Sequence, residues 1–125
     1  MALFLLLSSI PSASAYKGHQ LSRTEVLDFT LTDQNNENFT FSQSLSDVHV
    51  VAFIFTECID VCPVITQSLK LVQEGLSDSD ALEVEFLSIS VDPRRDTPER
   101  LATFTQLHGV DWPHLTGEAE VLSDV

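Results

Sequence analysis

Basic residues are what this chain most conspicuously lacks. Only 6 of its 125 residues are Lys or Arg against 19 Asp and Glu, a formal net charge of −13. The one basic pair, Arg94-Arg95, stands between Asp92 and Asp96. A polyanion is repelled by such a surface, and no Lys/Arg cluster with interleaved aromatics offers a local exception, so nucleic-acid binding is disfavoured. The acidity itself suits solubility, a salty habitat or a cationic partner. Cysteine is scarcer still, with Cys58 and Cys62 alone, so the four ligands a zinc ion normally seeks are not gathered. There is no internal repeat and no low-complexity tract. At 125 residues there is room for one domain with a modest core and none for a second.

A long apolar run is missing too. Met1 to Ile10 (MALFLLLSSI) is apolar but too short to cross a bilayer. Ala13-Ser14-Ala15 supplies the small-residue pattern of a cleavage site, so residues 1–15 read as an export signal, although no Lys or Arg precedes the apolar stretch. An upstream extension would turn the same stretch into a membrane anchor. Residues 16–27 read as an irregular tether.

From Asp28 onward the pattern is α/β. Phe29 and Leu31, then Phe39 and Phe41, alternate with polar residues around Asp33-Gln34-Asn35-Asn36, which predicts a β-hairpin. Val48 to Phe55 is nearly all apolar, as expected of a strand covered on both faces by helices in a part-parallel sheet. Ile65, Leu69, Val72 and Leu76 recur at helical spacing and predict the core face of a helix ending at Gly75. A second strand, Leu82 to Val91, alternates at first and then turns apolar on both faces, so its later half is expected to be central. A helix follows, with Asp96 or Thr97 as N-cap, Pro98 at the first position, Leu101, Phe104 and Leu107 inside, and Gly109 as C-cap. Trp112 to Gly117 predicts a short strand running into a helix near Glu118. With a dithiol on the first helix, this order suggests a thioredoxin-like architecture. Its closing antiparallel strands and helix are expected to be missing, because Val125 arrives before they could be built.

What the chain does have is Cys58 and Cys62 at the junction of a strand and a helix, with Pro63 directly after. A helix N-terminus favours thiolate, the form that attacks disulfides and binds soft metals. Residues four apart on a helix have Cβ atoms roughly 5–6 Å apart, slightly wide for a disulfide but closable when the first lies in the loop. Two thiolates at this spacing can equally grip one metal ion, so geometry leaves both readings open. Glu57 and Asp60 flank the pair and are expected to raise the thiol pKa values, and no Lys, Arg or His lies within the loop. That serves an attacking thiol poorly and a metal cation well. Among metals, two soft sulfurs in an exported protein favour Cu(I). A plain stabilising disulfide is the bland alternative, although so tight a loop removes little chain entropy.

FTECIDVCP (Phe55 to Pro63), SVDPRRDTPE (Ser90 to Glu99) and FTLTDQNNENFTF (Phe29 to Phe41), in this order, resemble the Sco/SenC family of copper-delivery proteins over about residues 28–125. The resemblance implies an exported, often membrane-anchored thioredoxin-like protein that binds one copper ion. It implies as partners a copper donor and the copper-site subunit of cytochrome c oxidase, whose copper A centre it helps assemble. It also implies that Cys58 and Cys62 are the copper-binding, redox-active cysteines, with thiol–disulfide oxidoreduction as the alternative role of the same pair. The family's third ligand is a histidine in a C-terminal part not found here. Of His19, His49, His108 and His114 none is counted in the site, His114 being the best placed. A peroxide-sensing thiol protein is a more distant reading, since it wants an Arg beside the cysteine as well as Thr56.

Overall fold

The computed structural model describes residues 18–19, 25–78 and 83–125. The export signal of residues 1–15 and most of the tether therefore lie outside the described residues. Among those described, no helix is long and apolar enough to cross a membrane.

The hairpin forms as its alternation requires. Strands β1 (Thr30–Thr32) and β2 (Asn38–Thr40) pair antiparallel, with Leu31 opposite Phe39. Asp33 Oδ1 accepts the N–H groups of Asn35 and Glu37 at 2.8 Å each, and Asn36 takes the left-handed conformation at φ 64° that asparagine tolerates.

Three parallel strands follow in the order β3 (Val48–Ile54), β4 (Val84–Ser90), β5 (His114–Leu115). The β3–β4 connection contains helix α1 (Val61–Gly75), and the β4–β5 connection is helix α2 (Pro98–His108). Both crossovers step the same way across the sheet, and crossovers of one hand then place both helices on one face. Ala52 and Ile54 of β3 pack there with Cys58, Cys62, Leu101 and Phe104, against Ile65 and Leu69. On the opposite face Leu87, Ile89 and Leu115 pack against Phe29 and Leu31 of the hairpin and Leu122 of the short helix α3 (Ala119–Asp124). Reciprocal hydrogen bonds of 2.8 Å between Thr32 and Thr116 fasten the hairpin to the end of β5.

The second helix is bounded as its sequence dictates. Thr97, not Asp96, is the N-cap, its Oγ1 accepting Arg100 N–H, with Pro98 at the first position. Gly109 closes the helix at φ 63° and gives its N–H to the carbonyls of Thr105 and Gln106. Three expectations are corrected. Strand β3 is covered on one face only: Val51 and Phe53 are 43% and 55% exposed, because the hairpin and α3 cover β4 and β5 but stop short of this edge strand. Val72 is exposed, since the packed stripe of α1 runs through Cys62, Ile65, Thr66 and Leu69 and ends there. Leu107 is 78% exposed, because the 3.6-residue period carries the inner stripe of α2 through Leu101, Phe104 and Thr105 instead. Strand β4 is central as expected, with five consecutive buried residues from Phe86 to Ser90. Its observed start is Val84, and Leu82 lies outside the described residues.

Candidate metal centre

Strand β3 delivers the chain to the cysteines. After Ile54 the backbone turns tightly, Cys58 N–H donating to the Phe55 carbonyl at 3.1 Å, and α1 starts at Val61. Its N-cap residue, Asp60, makes no side-chain capping bond. The Cys58 sulfur takes that place and accepts the Cys62 N–H at 3.2 Å. The four N–H groups opening a helix have no intrahelical partners, so an acceptor here is favoured, and most of all an anionic one.

The two thiols therefore differ. A hydrogen bond from the Cys62 thiol, joined by the N–H groups of Cys62, Asp60 and Val61, holds the Cys58 thiol below its ordinary pKa. Burial, then the interaction with Cys58, pushes Cys62 up, with Asp96 adding to the rise. Both side chains are largely buried, at 8% and 3% exposure, and neither is in a disulfide. The expectation that the acidic flanks raise both thiols is corrected: Cys58 is lowered, chiefly by the Cys62 thiol, and Cys62 is raised by burial, Cys58 and Asp96 rather than by Glu57 or Asp60. Glu57 is moreover turned onto Arg100 at 3.2 Å and Arg95 at 3.8 Å. An Arg does stand at this loop, brought from α2 rather than from within the loop.

The loop is anchored from a distance. Asp96, 1% exposed, accepts the Thr56 N–H at 3.1 and 3.2 Å, the Thr56 hydroxyl at 2.5 Å and the Ser90 hydroxyl at 2.6 Å. Arg100 Nε donates to Thr56 Oγ1 at 3.2 Å. Ser90, Asp96 and Arg100 carry no local sign of this role, because Thr56 and Asp96 are 40 residues apart. The one hint is that SVDPRRDTPE is more polar than a strand end and helix start need.

The histidines stay apart from the sulfurs. His114 is fully buried on β5 between Trp112 and Phe104, with ring centroids 5.7 Å away in both cases. Its Nδ1 lies 2.9 Å from the Trp112 carbonyl, which can only accept, so the ring proton sits on Nδ1 and Nε2 is a buried acceptor without a partner. His49 lies 3.3 Å from Glu85 at the start of β3, and His108 packs on Phe104. His19 is exposed. Among the described residues no group of three or more His, Cys, Asp or Glu is placed to hold a metal. The donor set is two sulfurs, which fits a soft ion content with two ligands.

Comparison with known proteins gives the chain its family. The SCO1/SenC family model matches residues 17–125. The SCO1 protein homolog of Bacillus subtilis is 31% identical over 99 residues, covering 77% of this chain and 51% of that protein. The structure of Bradyrhizobium japonicum ScoI with copper bound matches with a TM-score of 0.71 at 31% identity, over 82% of this chain and 64% of that one. BsSco, a member of the Sco family of cytochrome c oxidase assembly proteins in which a disulfide switch was identified, matches with a TM-score of 0.66 at 31% identity, over 78% and 59%. The chain thus spans about half to two thirds of the length of these relatives. The fold is the thioredoxin-like one of these structures. With the SCO1/SenC model matching residues 17–125, the chain belongs to the SCO1/SenC family.

Proposed function

We propose that the protein is a copper carrier that binds one Cu(I) through Cys58 and Cys62 and passes it to the copper A centre of cytochrome c oxidase during assembly. The observation that carries this reading is the reduced sulfur pair at the first turn of α1, Cys58 Sγ 3.2 Å from Cys62 N, with no other ligating side chain gathered beside it among the described residues. Two soft donors suit Cu(I) and leave it exchangeable to a site with more ligands. Cys58, with its lowered pKa, supplies the first thiolate, and the metal displaces the proton of Cys62. Its partners on this reading are a copper donor and the copper-site subunit of the oxidase. The leader of residues 1–15 puts the work outside the cytoplasm, with membrane anchoring if an upstream extension lengthens its apolar stretch. The test is anaerobic loading of the reduced full chain with Cu(I). One equivalent with sulfur-only ligation in X-ray absorption is expected, and Cys58→Ser or Cys62→Ser abolishes it. Stoichiometric, equally tight copper in both single variants would refute the assignment.

One observation favours a second reading, in which the same pair reduces the cysteines of the copper site. The Cys58 sulfur accepts the Cys62 N–H at 3.2 Å at a helix start, a place that favours the thiolate and so attack on a disulfide. Rapid reduction of a disulfide peptide from a copper site, lost in Cys58→Ser, would support it. Reduction no faster than by free cysteine would remove it.

A further inference from the structure

The segment Ser90 to Glu99 contributes no sulfur or imidazole, yet it holds a carboxylate withdrawn from water. Asp96 is 1% exposed. A buried charge is tolerated when it is paired or hydrogen-bonded, and among the described residues Asp96 makes no ion pair. It is satisfied by donors instead, two of the three belonging to one residue: the N–H and hydroxyl of Thr56, with the hydroxyl of Ser90. Thr56 lies two residues before Cys58. Asp96 is rooted at the junction of β4 and α2, where its own N–H donates to the Asp92 carbonyl at 2.9 Å and the next residue caps α2. Arg100 adds a second tie, from Nε to Thr56 Oγ1 and from Nη2 to Glu57, each at 3.2 Å.

We propose that Asp96, acting through Thr56, is a positioning residue for the cysteine pair: it fixes the turn from Thr56 to Cys58 so that the Cys58 sulfur is held over the first turn of α1, beside Cys62, before any ion or oxidant arrives. The inference rests on the reading of Cys58 and Cys62 as the working pair. Ordering a loop costs conformational entropy, and a loop ordered by the fold does not charge that cost to binding. The anchored turn therefore lowers the ordering cost of holding an ion and, equally, of closing the S–S bond. Releasing the anchor weakens Cu(I) binding and shifts the disulfide toward the dithiol.

The test uses the full chain and two independent measurements. One is competition for Cu(I) against a bidentate Cu(I) chelator. The other, without copper, is equilibration in dithiothreitol buffers, in which the two protein thiols give two electrons and two protons to oxidised dithiothreitol and form one S–S bond. Thr56→Val, which keeps the shape and removes the hydroxyl, should weaken Cu(I) binding about tenfold and move the equilibrium about tenfold toward the dithiol, about 30 mV less negative. Thr56→Ser should retain both parent values, and Asp96→Asn should resemble Thr56→Val. Leu31→Val, in the core on the opposite face of the sheet, is the control for lost stability and should change neither. Parent values in Thr56→Val for both measurements would overturn the proposal. So would equal losses in Leu31→Val, which would mark the effect as general loosening. A parent protein that fails to bind Cu(I) would remove the copper reading, and the redox equilibrium would then decide the role of Asp96 alone.

Discussion

The two faces of strand β4 were built for different tasks. Leu87 and Ile89, pointing to the hairpin, meet Phe29, Leu31 and Leu115, a core of hydrocarbon alone. Ser88 and Ser90, pointing to the helices, share their layer with Cys58, Cys62, Thr66, Asp96 and His114, all buried. Every polar group on that side must find a partner, and most do: Trp112 Nε1 donates to Ser88 Oγ at 2.9 Å, and Ser90 donates to Asp96 at 2.6 Å. One face thus stabilises by area, and the other gives up apolar area to hold a reactive pair in a fixed place. Thr66 Oγ1 and His114 Nε2, buried without partners, lie on the second face, where a cost of this kind is expected.

Substitutions can sharpen or break this contrast. The largest effect is expected from Leu87→Ala on the hydrocarbon face. Leu87 is fully buried, and the cavity left behind should cost about 2–5 kcal/mol, read as a lowered urea midpoint. Cu(I) stoichiometry in the folded fraction should stay unchanged. Loss of copper with the fold intact would show that the faces are not separable.

Acidification should act on the other face. Burial holds His114 down to about 4 from an ordinary value of 6.5, so it is neutral when folded and the unfolded chain binds a proton more readily. The stability tied to the neutral ring is complete above pH 6.5 and is lost as pH falls toward 4, about 3 kcal/mol at most. His114→Gln should flatten that part of the stability-versus-pH curve. An unchanged slope between pH 6.5 and 4 in the variant would assign the acid sensitivity elsewhere.

Smaller still, Ser88→Ala strips the partner from the buried Trp112 N–H and should cost about 1–3 kcal/mol, accompanied by a shift in tryptophan fluorescence. At the bottom of the scale, Phe53→Thr on the uncovered side of β3 should change stability by no more than about 0.5 kcal/mol while raising solubility. A large loss there would mean that this side of β3 is covered in solution.

The hairpin, the three strands, the limits of α2 and the dithiol were legible in the sequence because each rests on local chemistry. Asp33 folds its own turn, Thr97, Pro98 and Gly109 bound their own helix, and apolar runs of the right length make strands. Errors fell where a residue's fate depends on what lies opposite. Val51 and Phe53 read as core because they are apolar, yet nothing among the described residues reaches across to cover them. Leu107 fits an i, i+3 spacing, but the stripe that meets the sheet passes through Thr105. The thiol electrostatics went astray because Cys58 answers to the Cys62 thiol and to the N–H groups of residues 60–62 rather than to its acidic flanks. Glu57 and Asp60 are visible as neighbours in sequence, whereas Arg95 and Arg100 reach Glu57 only through the fold.

The sequence by itself determined the α/β order, the acidic balance of charge and a sulfur pair at a helix start, since these follow from composition and from periodicities a few residues long. Only the tertiary structure decided that the Cys58 sulfur accepts the Cys62 N–H at the start of α1, that His114 is walled into the core, and that Asp96 grips Thr56 across 40 residues of chain. Those outcomes depend on which side chains share a buried space, and that is fixed only once helices from two separate crossovers are laid on the same face of one sheet.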